Sequence, residues 1–182
     1  MESSCAVVAY LPGRLAEFVD HLRQRFNPAC AAWLPHVTIL PRRPLHTTPE
    51  EALATIREKC LSLEPFAVSL DCVSTFWPVT GVVYLSFAAG SQRLIALHDA
   101  LNHGCLEREE PFPFVPHVTV AQELDEASAQ AVLEEVSRAW SHYEGETSFR
   151  IELLSFVQQA PENRWVDLVP IPLGSLLAPF RR

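Results

Sequence analysis

The tetrapeptide Pro-His-Val-Thr occurs twice in this chain. Its polar pair is His36 and Thr38 in the first copy, and His117 and Thr119 in the second. β-Branched residues dominate each copy and the apolar residues after it, so each copy predicts a β-strand. Because successive side chains of a strand point to opposite faces, the histidine and the threonine of each copy share one face. Two imidazoles and two hydroxyls on rigid strands suit a phosphate that must be bound, protonated and attacked.

Hydrolysis of a phosphodiester needs a base that activates water and an acid that protonates the leaving oxygen. An unperturbed histidine titrates near pH 6.5, so one neutral and one protonated imidazole can coexist around neutrality. Each such proton transfer contributes about 10²–10⁴-fold to the rate. Threonine hydroxyls can donate hydrogen bonds to phosphate oxygens, and their β-branch restricts the rotamers.

The predicted elements around the two copies follow one order: strand, helix, His-containing strand, helix and strand. The two histidines lie 117 − 36 = 81 residues apart, which indicates a duplicated lobe rather than a solenoid repeat. We therefore expect one domain made of two pseudo-symmetric halves, residues 1–78 and 79–182. The predicted strands cover residues 5–11, 33–40, 66–76, 82–88, 115–121, 147–157 and 164–171.

Local signals predict where several of these elements begin and end. Thr48, followed by a proline and then by Glu51, has the pattern of a helix N-cap with a capping box. Ser91 and Asp125 are predicted to cap the two later helices. The segment Pro41–Pro44 is predicted to end the first His-containing strand, and a turn at 161–163 is predicted to join the last two strands.

Length and charge limit the class of ligand. A chain of 182 residues with 48% hydrophobic residues can bury a core of its own. Its net charge of −8 leaves no broad basic surface for duplex nucleic acid. Positive charge for a phosphate must therefore be local to the site, which favours a small nucleotide or an RNA end as the substrate.

The remaining sequence features predict a cytoplasmic monomer with no membrane attachment. The five cysteines are scattered, odd in number and free of any C-x-x-C pair, so we expect buried thiols rather than disulfides. The N-terminus lacks a basic signal-peptide region, and the apolar run 5–11 is too short to span a bilayer. No further Cys, His or carboxylate lies at ligand spacing near either motif, so no metal or other cofactor is predicted.

The two motifs in matched contexts resemble the 2H phosphoesterase superfamily. Their surroundings, Pro-His-Val-Thr-Ile-Leu-Pro and Phe-Pro-Phe-Val-Pro-His-Val-Thr-Val-Ala, are similar to its 2′-5′ RNA ligase branch, which includes RNA cyclic phosphodiesterases. The resemblance covers nearly the whole chain. It implies an α+β fold of two pseudo-symmetric lobes, with antiparallel sheets lining a central groove and helices on the outside.

The resemblance also implies metal-free hydrolysis of a cyclic phosphodiester, such as a 2′,3′-cyclic phosphate. In that mechanism His117 would be the base, His36 the acid, and Thr38 and Thr119 would bind the non-bridging oxygens. Two other functions stay open: cleavage or ligation of 2′-5′ linkages by the same pair, and a non-catalytic module that binds a nucleotide. Coincidence of the two motifs and zinc binding through the imidazoles are the remaining alternatives.

Arg42 and Arg43 follow the first motif and are candidates for contact with phosphate. Arginine favours this role because its planar guanidinium can donate two parallel hydrogen bonds to an anion. Two arginines between prolines are also typical of a solvated turn. Both interpretations therefore stay open for this pair.

Four aromatic residues are candidates for stacking on a base. Phe112 and Phe114 precede the second motif, while Trp77 and Tyr84 flank the junction between the two halves. Aromatic side chains commonly stack on the bases of single-stranded nucleotides. The alternative for each of the four is packing within its own lobe.

Overall fold

The computed structural model describes residues 4–28, 33–160 and 164–174. Within these residues the chain forms eight strands and four helices. The strands are β1 (Ser4–Tyr10), β2 (His36–Pro44), β3 (Phe66–Thr75), β4 (Val83–Ala89), β5 (Val118–Ala121), β6 (Ser148–Ile151), β7 (Leu153–Ala160) and β8 (Arg164–Pro172). The helices are α1 (Gly13–Phe26), α2 (Pro49–Cys60), α3 (Ser91–Leu101) and α4 (Glu126–Ser141).

The strands form two four-stranded antiparallel sheets, which confirms the predicted α+β architecture. The first sheet has the order β2-β1-β7-β8, and the second has the order β5-β4-β3-β6. Each sheet combines strands from both halves of the chain, because β3 pairs with β4 and β7 pairs with β1. The sheets therefore do not divide at residue 78. The strands β2 and β5 begin within the two motifs. Each lies at the edge of its sheet, so the two strands hold equivalent positions.

Side-chain caps begin two of the helices as the sequence predicts. The Thr48 hydroxyl accepts a hydrogen bond from the Glu51 amide at 3.2 Å, and the Glu51 carboxylate accepts one from the Thr48 amide at 3.2 Å. This reciprocal pair is a complete capping box at the start of α2. The Asp125 carboxylate accepts a hydrogen bond from the Ser128 amide at 2.8 Å and caps α4. No helix in the described part of the chain is both long and apolar enough to cross a membrane.

The predicted cap of α3 at Ser91 is wrong, because Gly90 holds the N-cap position. Gly90 has a φ of 86°, in the left-handed region that favours glycine. A Cβ at this position would lie 2.6 Å from Val68 Cγ1 and 2.8 Å from the Ala67 carbonyl oxygen. Close approach of the helix start to β3 therefore requires glycine here, and the Ser91 hydroxyl donates to the Phe87 carbonyl instead.

Several strand boundaries differ from the sequence-based predictions. The His-containing strands begin at His36 and at Val118 rather than at 33 and 115, so His117 lies just before β5. The segment Pro41–Pro44 continues β2 rather than ending it, and an edge strand tolerates prolines because one side of its backbone needs no partner. The single strand predicted over 147–157 is two strands, β6 in the second sheet and β7 in the first. The chain passes between the sheets at Glu152. The turn predicted at 161–163 lies outside the described residues.

The strand faces opposite the two motif histidines pack into the core. Val37 and Ile39 of β2, and Val118 and Val120 of β5, are completely buried. They belong to one hydrophobic cluster that includes residues from all four helices. Full burial of such a side chain stabilises the fold by about 1.5–3 kcal/mol. The core therefore holds both edge strands in register and leaves their other faces for a cleft.

The cysteines follow the sequence-based expectation only in part. Cys5 and Cys60 are buried, and burial raises the pKa of the Cys60 thiol to about 11. The prediction of buried thiols is wrong for Cys72, which is exposed. Cys72 lies in the part of β3 where the register against β4 shifts, so its side chain leaves the core face. Cys30 lies outside the described residues.

Candidate active site

A cleft of about 870 Å³ opens where the edge strands β2 and β5 pack against each other. Both motifs line it: His36 and Thr38 from β2, Thr119 from β5, and His117 from the position just before β5. The fold thus brings together the four side chains that the repeated tetrapeptide singles out. Within the described ranges, no cluster of three or more His, Cys, Asp or Glu side chains is arranged to hold a metal ion.

The two imidazoles are oriented in the same way. Nδ1 of His36 lies 2.7 Å from the carbonyl oxygen of Leu34, and Nδ1 of His117 lies 2.7 Å from that of Val115. A carbonyl oxygen can only accept a hydrogen bond, so Nδ1 carries the proton and donates it in both rings. Nε2 of each ring is then the nitrogen with the free lone pair, and both histidines line the cleft. Each histidine uses the carbonyl two residues before it, so the local geometry of the motif repeats as well.

Aromatic rings pack against both imidazoles. The Tyr10 ring meets His36 edge-on with ring centroids 6.3 Å apart, and Phe76 meets His117 edge-on at 5.0 Å. Tyr84 lies 5.3 Å from His117 and stacks on Phe76 at 4.2 Å. Tyr84 is buried and is not part of the cleft lining, so it orients the His117 ring instead of offering a face to a ligand. This corrects the prediction that Tyr84 contacts substrate.

Arg23 of α1 is a cleft residue that the sequence-based reasoning missed. Only 2% of it is exposed, and it lines the floor of the cleft. Its Nε donates to the Thr119 carbonyl oxygen at 2.8 Å, and its Nη1 donates to the Trp33 carbonyl oxygen at 3.2 Å. The sequence holds one indication of this role. Arg23 follows the buried Val19 by four positions, so a charged side chain lies on the apolar face of α1.

The pKa values of both imidazoles lie below that of a histidine in water. Burial, together with the positive charge of Arg23, lowers the pKa of His36 to about 4, although the hydrogen bond to Leu34 opposes the shift. Burial and then Arg23 lower the pKa of His117 as well, against the hydrogen bond to Val115. At pH 7 both rings are therefore neutral. The expectation of one protonated ring near neutrality treated them as unperturbed, which burial and Arg23 prevent.

Two β-bulges decide which of the paired arginines reaches the cleft. From Thr38 to Leu40, β2 advances two residues while β1 advances one, and from Leu40 to Arg43 it advances three against two. Each extra residue shifts the alternation of faces by one position. The second bulge leaves Pro41 and Arg42 both on the cleft side and returns Arg43 to the core side.

The prediction that Arg43 contacts substrate is corrected by its surroundings. Arg43 is only 3% exposed and is not among the cleft-lining residues. Its Nη2 donates to Glu110 Oε1 at 2.7 Å, and its Nη1 donates to the Leu106 carbonyl and to Asn102 Oδ1, each at 2.5 Å. The guanidinium therefore holds the segment that forms one cleft wall, and Arg42 is the arginine of this pair that faces the cleft.

The wall segment 107–116 carries both predicted phenylalanines into the cleft lining. Phe114 stacks on the His98 ring with centroids 4.1 Å apart and an interplanar angle of 6°. Phe112 is 55% exposed. Trp77 is 39% exposed and is not among the cleft-lining residues, although its neighbours Phe76 and Val79 are, so its contact with substrate stays a prediction.

Comparison with known proteins identifies the family. Residues 11–161 match the family model described as the 2′-5′ RNA ligase superfamily. The chain belongs to this superfamily. A relative from Bacillus licheniformis, named "Putative phosphoesterase", is 32% identical over 130 residues, or 70% of this chain and 75% of the relative. The resemblance drawn from the two motifs is thereby confirmed.

Solved structures similar to this 2′-5′ RNA ligase superfamily member share its fold. A crystal structure of a phosphoesterase aligns with a TM-score of 0.66 and 19% identity, covering 96% of this chain and 99% of that chain. E. coli LigT complexed with 3′-AMP aligns with a TM-score of 0.63 and 19% identity, at the same coverages. At these identities the comparison supports the fold alone.

Proposed function

We propose that this protein is a metal-independent phosphodiesterase that hydrolyses a cyclic phosphodiester. Its substrate would be a 2′,3′-cyclic phosphate, at an RNA end or on a small cyclic nucleotide. One observation carries the proposal: two imidazoles, each with Nδ1 held by a backbone carbonyl, share a cleft with two threonines. A proton acceptor and a proton donor around one phosphate meet the needs of P–O cleavage by general acid–base catalysis.

In the proposed reaction, Nε2 of neutral His117 accepts a proton from water as the water oxygen bonds to phosphorus. The P–O bond to one ribose oxygen breaks, and protonated His36 donates its Nε2 proton to that oxygen. The products are a phosphomonoester, a neutral His36 and a protonated His117, and proton exchange with solvent restores the pair. This assignment of base and acid follows the family resemblance.

The electrostatics of the cleft support this cycle. The lowered pKa of His117 keeps the proposed base neutral at pH 7. A bound phosphate brings a negative charge that offsets Arg23 and raises the pKa of His36, so the proposed acid gains its proton when substrate binds. Thr38 and Thr119 can donate to the non-bridging oxygens, and Arg23 beneath them favours the charge that develops in the transition state.

The neighbour in the structural comparison is consistent with this substrate class. E. coli LigT has been crystallised with 3′-AMP, a nucleoside monophosphate. Opening of a cyclic nucleotide by water yields a product of that chemical class. We therefore expect a nucleoside cyclic phosphate to fit the cleft of this protein.

The test is turnover of 2′,3′-cyclic AMP in EDTA, with the new phosphomonoester measured by chromatography. We expect His36→Ala and His117→Ala each to lower kcat/KM by at least about 10²-fold, the lower range for one proton transfer. The exposed His21 of α1 does not line the cleft, so His21→Ala is the matched control.

Three outcomes would contradict the proposal. Turnover that requires an added metal ion would defeat the metal-free mechanism. Turnover of a 2′-5′ dinucleotide without turnover of the cyclic nucleotide would favour the alternative action on 2′-5′ linkages. Tight binding with no turnover of either substrate would favour a nucleotide-binding module.

A further inference from the structure

The cleft carries more positive charge than the phosphate site alone accounts for. Besides the two histidines, its charged lining residues are Arg23, Arg42, Arg108 and Glu110. Glu110 is paired with the buried Arg43 at 2.7 Å, so its charge is offset from behind the wall. Arg42 and Arg108 lie where the cleft meets solvent, and we call this part of the cleft the rim. These two arginines give the rim a local positive potential in a chain whose net charge is −8.

The fold holds these two arginines together. Nη1 of Arg108 donates to the backbone carbonyl oxygen of Arg42 at 2.7 Å. Both residues are exposed, and neither takes part in any ion pair found within the described residues. The neighbours Glu107 and Glu109 do not line the cleft, so Glu110 is the one carboxylate of segment 107–116 in its lining, and Arg43 offsets that charge. Both side chains carry a positive charge into the lining of the same cleft, where an anion would be attracted to each of them.

An aromatic face lies beside this charge. Phe112 is 55% exposed and lines the same wall as Arg108. Pro111 and Pro113 on either side restrict the backbone and limit how far the ring can move. The neighbouring Phe114 is already stacked on a buried histidine. A positive charge next to an open aromatic face suits a phosphate joined to a nucleobase.

Arg42 lies beyond the motif threonine along β2, towards the outer end of the cleft. Arg42 follows Thr38 by four residues on β2, but the two bulges compress this stretch. Thr38 and Arg43 pair with residues only three apart on β1, which is roughly 10 Å at about 3.3 Å per residue. The cleft volume of about 870 Å³ is near the upper end of the range for small-molecule pockets, about 300–1,000 Å³. There is room for a ligand that extends from the imidazoles to the rim.

We propose that Arg42, Arg108 and Phe112 form a second subsite, which binds the phosphate and the base of the nucleotide that precedes a cyclic phosphate end. The subsite rests on the proposed function and specifies its substrate as an oligonucleotide end rather than a mononucleotide. Arg42 and Arg108 hold the phosphate, and Phe112 stacks on the preceding base.

Three substrates separate these contributions: adenosine 2′,3′-cyclic phosphate, the same compound with a 5′-phosphate, and the dinucleotide ApA with a terminal 2′,3′-cyclic phosphate. We expect kcat/KM to rise about 10-fold when the 5′-phosphate is added and to rise again for the dinucleotide. Arg42→Ala and Arg108→Ala each bring the ratio of phosphorylated to unphosphorylated substrate close to one. Phe112→Ala removes only the additional gain of the dinucleotide.

The matched control is Arg138→Ala, which removes an exposed arginine of α4 outside the cleft lining and leaves the ratios at wild-type values. Equal kcat/KM for the three substrates in the wild type, or equal loss on all three in the arginine variants, overturns the subsite while the proposed function stands. Absence of turnover on all three contradicts the proposed function. In that event the subsite is tested by the ratio of the affinities for ApAp and 3′-AMP, measured by calorimetry. We expect this ratio to be well above one in the wild type and close to one in Arg42→Ala and Arg108→Ala.

Discussion

Arg23 links the two motifs at the level of single residues. It donates to the carbonyl oxygens of Thr119 and Trp33, and its charge lowers the pKa of both His36 and His117. The same side chain thus connects the segment before the first motif to the second motif. We expect it to set the pH range in which the histidine pair acts, in addition to any attraction for phosphate.

The pH dependence of kcat/KM reflects the pKa values of the histidines in the free protein, and both lie below 6.5. We therefore expect a bell-shaped profile with its maximum on the acidic side of pH 6.5. The apparent pKa values of its rising and falling limbs describe the two coupled histidines together, so neither limb can be assigned to a single ring. Arg23→Gln removes a positive charge, which makes protonation easier, so both limbs should move to higher pH. The measurement is kcat/KM for a cyclic nucleotide across the pH range.

Two variants control this prediction. Arg23→Lys keeps the charge and should leave the limbs near their wild-type positions. Arg25→Gln changes an exposed arginine of the same helix, paired with Glu135, and should shift nothing. Limbs that stay in place in Arg23→Gln, or that move to lower pH, would contradict the electrostatic role of Arg23.

At the level of elements, a buried ion pair fastens the cleft wall to β2. Arg43 donates to Glu110 and to the 3-10 turn Gly104–Leu106, and Glu110 lies 3.3 Å from His98 Nε2. Phe114 stacks on that histidine. Segment 107–116, which carries Arg108 and Phe112, therefore depends on an arginine that itself lies outside the cleft lining.

Loss of Arg43 should destabilise this wall strongly. Arg43→Met leaves Glu110 without its main partner, and breaking a buried pair in this way costs about 3–5 kcal/mol. The free energy of unfolding in urea measures this loss, and hydrogen exchange should quicken in segment 107–116. The double variant Arg43→Met/Glu110→Gln should recover part of the loss, because no unpaired charge remains.

The neighbouring arginine provides the comparison. Arg42→Met, at an exposed position of the same strand, should change the free energy of unfolding by no more than about 0.5 kcal/mol. Equal destabilisation by Arg42→Met and Arg43→Met would show that the ion pair does not anchor the wall.

At the level of the whole molecule, the two sheets are interlocked through the chain. The strand β3 of the first half lies between β4 and β6, and β7 of the second half lies between β1 and β8. One hydrophobic cluster extends through both sheets. Neither half of the sequence therefore contains a complete sheet.

We expect this arrangement to unfold in a single cooperative transition. The calorimetric enthalpy should equal the van't Hoff enthalpy, which is the test of two-state behaviour. A fragment of residues 1–78 should lack stable structure by circular dichroism, because β1 and β3 would each lose partner strands from the second half. Two separate thermal transitions, or a folded fragment, would contradict the prediction.

Much of the fold and of the candidate site could be predicted from nearby residues. The capping box of Thr48 and Glu51 and the cap at Asp125 depend on contacts within three positions, and both are confirmed. The alternation in Pro-His-Val-Thr was enough to assign the histidine and threonine to one face. By contrast, the glycine cap of α3 depends on its approach to β3, more than twenty residues earlier.

The misses share a physical cause, which is contact between residues far apart in the chain. Arg23 meets Thr119 across 96 positions, and Arg43 meets Glu110 across 67. Phe76, the residue just after β3, packs on His117, 41 positions further along the chain. No local pattern records such contacts, so the sequence predicts a ligand contact for Arg43 beside the motif and gives no role to Arg23 beneath the cleft.

The sequence by itself determined the residue types on which the proposed acid–base chemistry rests, their side of each strand and the family to which the chain belongs. Tertiary structure alone decided that the two strands meet over one cleft, that Arg42 and not Arg43 faces it, and that both imidazoles are neutral at pH 7. The division follows from range. Backbone alternation and capping act over a few residues, whereas burial and charge act between whatever residues the fold brings close.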